Sequence, residues 1–306
     1  METATRNKSE QLKIMESLNS RSRLPHSQKQ YLLNLKKGFE GEELFDQLIQ
    51  KHLGTDVLVL NDRLVTYNGS TAQIDALVVI GNILYLYEVK NYEGEYQQLA
   101  GQFRRLKGKD FICPSVQLYR TEKVLQQMIS QWTESLEICS FVIFVSPDFT
   151  LYDARITNPF ILPTQISTHF TKLKNAQLQS SIESKRILNK LQSESRSGET
   201  YRGTPQEYKY EELKKGLICP DCCSFNLKLS ERQAICLDCG RKISADALLL
   251  NHMNEIKMLF PETDLTTSLV YEWIAGKFVK RRIGRLLRSL KLNDRDNKST
   301  LCRTRG

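Results

Sequence analysis

The chain has 306 residues, with 44 Lys and Arg against 35 Asp and Glu, a formal charge of +9 and a mean hydropathy of −0.41. That length accommodates two or three small domains with real cores. No charged–apolar–small leader stands at Met1 and no apolar run is long enough to span a bilayer, which points away from a membrane protein and toward a cytoplasmic one.

The charge is uneven. Residues 277–306 carry eleven Lys and Arg against Asp294 and Asp296, and the preceding 276 residues balance to zero. A polyanion is the natural partner for such an end, with a solvated, disordered tail as the plain alternative for the last dozen residues. The eight cysteines are clustered rather than spread as a disulfide framework.

Residues 1–30 read as a polar leader, with one short amphipathic stretch near residues 11–18 and no chemistry. Residues 30–52 have helical periodicity, and Leu35, Phe39, Phe45, Leu48 and Ile49 form an apolar stripe. Glu42 lies three residues from both Phe39 and Phe45, on that stripe. A carboxylate on a core face needs a partner, unless Glu42 is an ordinary boundary residue. Residues 57–60 read as a strand ending at Asn61-Asp62, and residues 63–72 as partly irregular.

Residues 73–91, QIDALVVIGNILYLYEVKN, read as two strands joined by a tight turn at Gly81-Asn82. Ile80 then faces Ile83, Asp75 faces Glu88, and Gln73 faces Lys90. Both faces of the hairpin are largely apolar, as in a sheet covered on both sides. The polar exceptions gather at one end: two facing carboxylates, a lysine and a glutamine. Facing carboxylates repel, and a hard divalent cation, Mg²⁺ or Mn²⁺, would offset the cost. A salt bridge of Lys90 with Glu88 or Asp75 is the alternative.

An aspartate, a hairpin and then Glu-x-Lys resemble the core of the PD-(D/E)xK nucleases. The fuller text, GFEGEELFDQLI, AQIDALVV and LYLYEVKNYEGEY, resembles the nuclease-related domain over roughly residues 37–148. The resemblance implies an α/β, restriction-endonuclease-like core in the order helix, three strands, helix, strand. It implies that Asp75 and Glu88, helped by the Val89 carbonyl, hold Mg²⁺ or Mn²⁺. Lys90 would position or activate the attacking water, Glu42 would orient a water at the metal, and Gln117 would support the site. Many relatives carry a tyrosine four residues after that glutamine, and here the position is Thr121.

Further along, residues 96–106 read as either strand or short helix. Pro114 can open a helix running to about residue 134. Residues 140–146 read as a buried strand, and Cys113 and Cys139 as small packing residues. The nuclease-like domain is expected over residues 31–163, with a helical segment and linker over 164–212.

Cys219, Cys222, Cys236 and Cys239 form two CxxC knuckles separated by thirteen residues, the spacing of a zinc ribbon, here placed at 213–243. Four thiolates close the site, so Zn²⁺ would be structural. A redox CxxC is the competing reading. Residues 244–306 read as a basic helical domain and tail. Its amphipathic helix over 277–290 buries Phe278, Ile283, Leu286, Leu287 and Leu290, and carries Lys280, Arg281, Arg282, Arg285 and Arg288. Helix, glycine turn and basic helix suit a helix-turn-helix on DNA, or a helical hairpin with a solvated face.

The expected activity is metal-dependent hydrolysis of phosphodiester bonds in nucleic acid, DNA ahead of RNA. The alternative is a non-catalytic DNA-binding or DNA-processing accessory protein.

Overall fold

The structure is a computed structural model that describes residues 6–106, 108–133, 136–176, 181–197 and 208–290. It divides into two compact units. One comprises the described residues of Met1–Ser9 and Leu33–Arg202, the other those of Glu10–Leu32 and Gly203–Gly306. Helix α1 (Glu10–Arg21) belongs to the second unit, and the 28-residue α2 (His26–Leu53) begins in the second and continues in the first. Among the described residues, no helix is long and apolar enough to cross a membrane.

The first unit is a mixed α/β layer structure. Its main sheet takes β1 (Leu58–Tyr67), β2 (Ser70–Ile80), β3 (Ile83–Lys90), β7 (Glu137–Phe144), β9 (Phe160–Ile161) and β10 (Arg196–Ser197), in the order β10-β1-β2-β3-β7-β9. The β2–β3 hairpin turns at Gly81-Asn82 with Ile80 opposite Ile83, as its sequence suggests. Gly81 has φ 60°, which a glycine-first hairpin turn requires. Strands β3 and β7 pair in parallel, which demands a long crossover. That crossover holds β4 (Gly94–Leu99), β5 (Gln102–Arg105) and β6 (Asp110–Ile112), then α3 (Pro114–Ile129). With β8 (Phe149–Tyr152) the three short strands form a second sheet, β6-β5-β4-β8.

Both faces of the main sheet are covered, which is why its strands are apolar on both sides. One face packs on Leu118, Leu125 and Met128 of α3 and on Ile187, Leu188 and Leu191 of α5 (Ile182–Glu194). The other packs on Phe45 and Ile49 of α2 and on Ile166, Phe170 and Leu173 of α4 (Ile166–Asn175). The helical residues after Pro163 are thus part of this core, and β10 pairs with β1. Residues 198–207, most of the linker expected from sequence, lie outside the described residues.

Several boundaries differ from the sequence reading. Strand β1 does not end at Asn61-Asp62 but runs on to Tyr67, turns at Asn68-Gly69 with φ 46° and 77°, and returns as β2. Of the two readings of residues 96–106 the structure shows the strand, a β-hairpin, in which Tyr96 and Phe103 are drawn into the aromatic core against Phe149 and Phe144. Helix α3 stops at Ile129, and β7 starts at Glu137. Cys113 is buried in the core, as a packing residue.

The second unit has a three-stranded sheet, β11 (Leu227–Leu229), β12 (Gln233–Cys236) and β13 (Lys242–Ser244), followed by α6 (Ala245–Leu259), α7 (Thr267–Trp273) and a helix, α8, at residues 280–290. Ser244 and Thr266 cap α6 and α7 through side-chain oxygens. Helix α1 packs on α6. Arg21, fully buried on α1, donates Nε and Nη2 to the two Glu255 oxygens at 2.8 and 2.6 Å and lies 4.1 Å over the Trp273 ring. Glu255 also receives Trp273 Nε1 at 3.0 Å and the Ser17 hydroxyl, and contacts His252 Nδ1 at 2.9 Å. His252 Nε2 accepts the Ile218 N–H. Burial alone would raise the Glu255 carboxyl, but the hydrogen bonds with His252 and Arg21 hold it well below the usual carboxylate range.

Candidate active site and cysteine cluster

The polar end of the β2–β3 hairpin is assembled by one close approach and one bend. The close approach is at Gly41 of α2. A Cβ there would stand 2.5 Å from Asn91 Cβ, inside any real contact, so only glycine lets α2 lie against the end of β3. Asn91 Nδ2 donates to the Lys37 carbonyl at 2.9 Å and locks that approach. The next helical residue, Glu42, is thereby delivered to the strand end.

The bend is at Asp75. The β1–β2 ladder pairs Asn61 with Ala76 and Arg63 with Ile74 but skips Asp62 and Asp75. The β2–β3 ladder stops at Ala76–Tyr87, so the expected cross-strand pair of Asp75 with Glu88 is not part of it. The cause is visible in the backbone and the packing. Asp62 has φ 53°, and one core takes Ala72 and Ile74 before the bend but Leu77 and Val79 after it, a switch of parity. Freed from the ladder, Asp75 Oδ2 accepts the Val89 N–H at 2.9 Å. Burial pushes the Asp75 carboxyl up, while Lys90, the Val89 N–H and Arg6 pull it back.

Glu88 is 2 % exposed, and its Oε1 receives Lys90 Nζ at 2.6 Å. The salt bridge anticipated as the alternative for Lys90 is therefore present. Lys90 Nζ also reaches Gln117 Oε1 at 3.4 Å. Burial opposes the Lys90 charge, yet the Glu88 carboxylate holds the group above the ordinary lysine range. Thr121, one turn beyond Gln117, is buried and donates to the Gln73 carbonyl at 3.3 Å, so it anchors α3 to β2. Tyr92 stacks on Tyr96 and meets Phe144, an aromatic wall beside the same strand end.

Residues 37–145 match the family model of the nuclease-related domain. No curated protein and no solved structure matches the chain. The nuclease-related segment holds Glu42, Asp75, Glu88, Val89, Lys90 and Gln117, and the structure brings them to one end of the main sheet. It also holds Asp46 and Asp62, which carry no signal of their own in the sequence. One residue outside the segment joins them. Arg6 donates Nη1 to Glu42 Oε2 at 2.8 Å, Nε and Nη2 to Asp46 at 3.0 and 3.1 Å, and Nη2 to the Asp75 carbonyl at 3.2 Å. Asp46 is further held by Asn61 Nδ2.

The four cysteines lie beyond the nuclease-related segment. Among the described residues, Cys219, Cys222, Cys236 and Cys239 are the cluster whose ligand atoms all lie within 4.8 Å of one another. Cys219 and Cys239 sulfurs are 3.7 Å apart, and Cys222 and Cys236 sulfurs 3.5 Å. The residue after each knuckle is left-handed, Cys223 at φ 57° and Gly240 at φ 74°, and its N–H returns to the carbonyl of the first cysteine. The Cys223 side chain thus occupies a position where the second knuckle uses glycine. Backbone N–H groups of Cys239 and Asp238 help draw the Cys236 thiol down to about 7.

The basic helix is shorter than its sequence suggests. Ala275 and Gly276, at φ 52° and 70°, end the α7 turn, and α8 begins at residue 280. Phe278, Ile283, Leu286 and Leu287 are buried as expected, and Leu290 is half-buried. Arg282 pairs with Asp246 at 2.6 Å and with the Glu231 carbonyl, and Arg285 pairs with Asp246 at 3.1 Å. Those two arginines fasten α8 to the start of α6. Lys280, Arg281 and Arg288 are exposed. Residues 291–306, which carry five Lys and Arg against Asp294 and Asp296, lie outside the described residues.

Proposed function

We propose that the protein is a metal-dependent nuclease, hydrolysing phosphodiester bonds in DNA ahead of RNA. The observation that carries this reading is the convergence of Asp75, Glu88 and Lys90, with Glu42 and Gln117, at one sheet end inside the segment that matches the nuclease-related domain. The order of elements around that end, helix, three strands, helix, strand, supports a restriction-endonuclease-like core. The donor set is all oxygen, two buried carboxylates and the Val89 carbonyl, which suits Mg²⁺ or Mn²⁺. When bound, such an ion supplies a more acidic water and stabilises charge on the phosphate.

The chain's own groups do the rest. The Val89 N–H fixes Asp75, and the Lys90 ammonium fixes Glu88, so both carboxylates are oriented before any substrate arrives. Gln117 steadies Lys90, which presents its charge where the phosphate must lie. The aromatic wall at Tyr92 limits water on that side. The sulfur spacings fit structural Zn²⁺, because a tetrahedron of about 2.3 Å Zn–S bonds places its sulfurs about 3.8 Å apart. Lys280, Arg281 and Arg288 contact phosphates of the substrate, while Arg282 and Arg285 are engaged with Asp246 and hold α8 to α6.

A cleavage assay on single-stranded, duplex and branched DNA and RNA, with and without Mn²⁺, tests the reading. Asp75→Ala and Glu88→Ala should each abolish metal-dependent cleavage. Each should also lower the melting temperature of the metal-free protein, because Asp75 accepts the buried Val89 N–H and Glu88 pairs the buried Lys90, so the assays are run well below the variants' transitions. Undiminished cleavage by either variant overturns the assignment. Tight DNA binding by a wild-type protein that never cuts would leave the accessory-protein alternative.

A further inference from the structure

Arg6 lies in the polar leader, outside the nuclease-related segment, and its side chain is 2 % exposed. A buried guanidinium needs carboxylate and carbonyl partners for its N–H groups. Here the partners are not arbitrary. Asp46, one helical turn after Glu42, takes two of them side by side and pins the fork. The remaining bonds go to Glu42 Oε2 and to the main-chain carbonyl of Asp75. Asp75 is the one residue of β2 between Ala72 and Ile80 that belongs to neither neighbouring ladder. Its carbonyl, which a neighbouring strand would otherwise serve, is served by Arg6.

We infer that Arg6 is a positioning residue of the carboxylate site, standing in for the missing ladder partner of Asp75 and fixing the Glu42 carboxylate beside it. The inference rests on the nuclease reading for its consequence in rate, but its structural part does not. A single planar group sets the distance between the helix that carries Glu42 and the bend that carries Asp75, because both are bonded to the same fork. Its charge also offsets Glu42 and Asp46, which sit one turn apart on α2 and repel. A lysine, with a point charge on a flexible stem, cannot hold three partners in one plane.

Three variants of the full chain test this: Arg6→Ala, Arg6→Lys and, as a control on chemistry, Glu88→Ala. In metal-free protein, hydrogen exchange of the amides over residues 73–76 should quicken about tenfold in Arg6→Ala, with the β3–β7 ladder unchanged. In the cleavage assay Arg6→Ala should lose about 30-fold or more in kcat with KM within about threefold. Arg6→Lys should fall between it and wild type. Mn²⁺ affinity, measured by calorimetry, should hold or tighten, since a nearby positive charge is gone, so the lost rate cannot be blamed on lost metal. Millimolar guanidinium should restore part of the Arg6→Ala rate and none of the Glu88→Ala rate.

Unchanged exchange at residues 73–76 overturns the inference whether or not the protein cleaves. A lowered rate with no guanidinium rescue and a general loss of protection makes Arg6 a merely structural residue. A faster Arg6→Ala enzyme makes it an inhibitory plug. If wild-type protein shows no cleavage, the nuclease reading fails while the exchange result still decides the role of Arg6.

Discussion

Arg6 and Arg21 come from the same short stretch of chain, and both are buried with a carboxylate gripped side by side: Asp46 in the first unit, Glu255 in the second. Their surroundings differ. Around the Arg21–Glu255 pair, Ser17, His252 and Trp273 bond the carboxylate and the carbonyls of Lys214 and Gly216 accept from the guanidinium, a set that ties α1 into the second unit. Around Arg6 the partners include Glu42 and Asp75, residues at the polar end of a hairpin. The same chemical pair thus serves two ends. One is a knot whose every strand is structural, and the other passes its rigidity to a site.

The two units can be told apart by perturbations of decreasing size. The largest effect should come from the cysteines. Stripping Zn²⁺ with a chelator, or Cys236→Ser, should unfold the ribbon, because ligation supplies much of the folding energy of so small a sheet, of order 10 kcal/mol. Metal analysis should return one zinc per wild-type chain, and hydrogen exchange over residues 37–145 should be unaffected.

Next comes Arg21→Ala. It leaves Glu255 buried without its principal partner and should cost about 3–5 kcal/mol in the second unit. The chain has two tryptophans, Trp132 in the first unit and the fully buried Trp273 in the second. A Trp132→Phe background therefore leaves Trp273 fluorescence to report that loss. Arg6→Ala in the same background should leave the Trp273 transition where it was, and an equal shift from both would erase the distinction.

A smaller effect concerns pH. Burial pushes the His169 imidazole, bonded to the Tyr87 hydroxyl at 2.8 Å, down to about 4 from the ordinary 6.5. A depressed pKa favours the neutral form in the fold. The stability it contributes is complete above about pH 6.5 and is lost as pH falls toward 4. Protection factors of the β3 amides, corrected for the slower intrinsic exchange at low pH, should fall across that window in wild type, and His169→Phe should flatten the change. Glu255, held below the usual carboxylate range, should keep the Arg21 knot intact until pH falls beneath that range.

The gentlest test is at the surface. Replacing Lys280, Arg281 and Arg288 with glutamine should flatten the salt dependence of duplex DNA binding by about 0.9 in log–log slope for each phosphate no longer neutralised. Replacing Arg282 and Arg285 should instead loosen α8 from α6, seen as a lower melting temperature. If all five behave alike, the division between residues that pair with Asp246 and residues that do not is wrong.

What the sequence made legible was local. Gly81-Asn82 sets a register that the structure reproduces pair by pair from Ile80–Ile83 to Ala76–Tyr87. The cysteine spacing foretells a cluster that closes to within 4.8 Å. Asn68-Gly69 carries the same kind of signal as Gly81-Asn82, but the half-exposed β1 before it lacks the clean apolar alternation that would frame a hairpin. Asn61-Asp62 does mark a break, yet the strand resumes after one left-handed residue, a conformation the letters alone do not announce. Arg6 is illegible. Its partners stand 36 to 69 residues away, and nothing in a polar leader distinguishes a guanidinium that will be buried from one that will be solvated. Glu255 on α6 offers a fainter clue, a charge on the apolar face of a helix.

Gly41 gives the site a point of failure that involves no polar atom. One methyl group at that position would wedge α2 away from Asn91 and carry Glu42 with it, while every carboxylate, lysine and glutamine stayed in the chain. The geometry of the polar cluster is therefore set by a residue with no side chain at all, through the distance it allows between helix and strand.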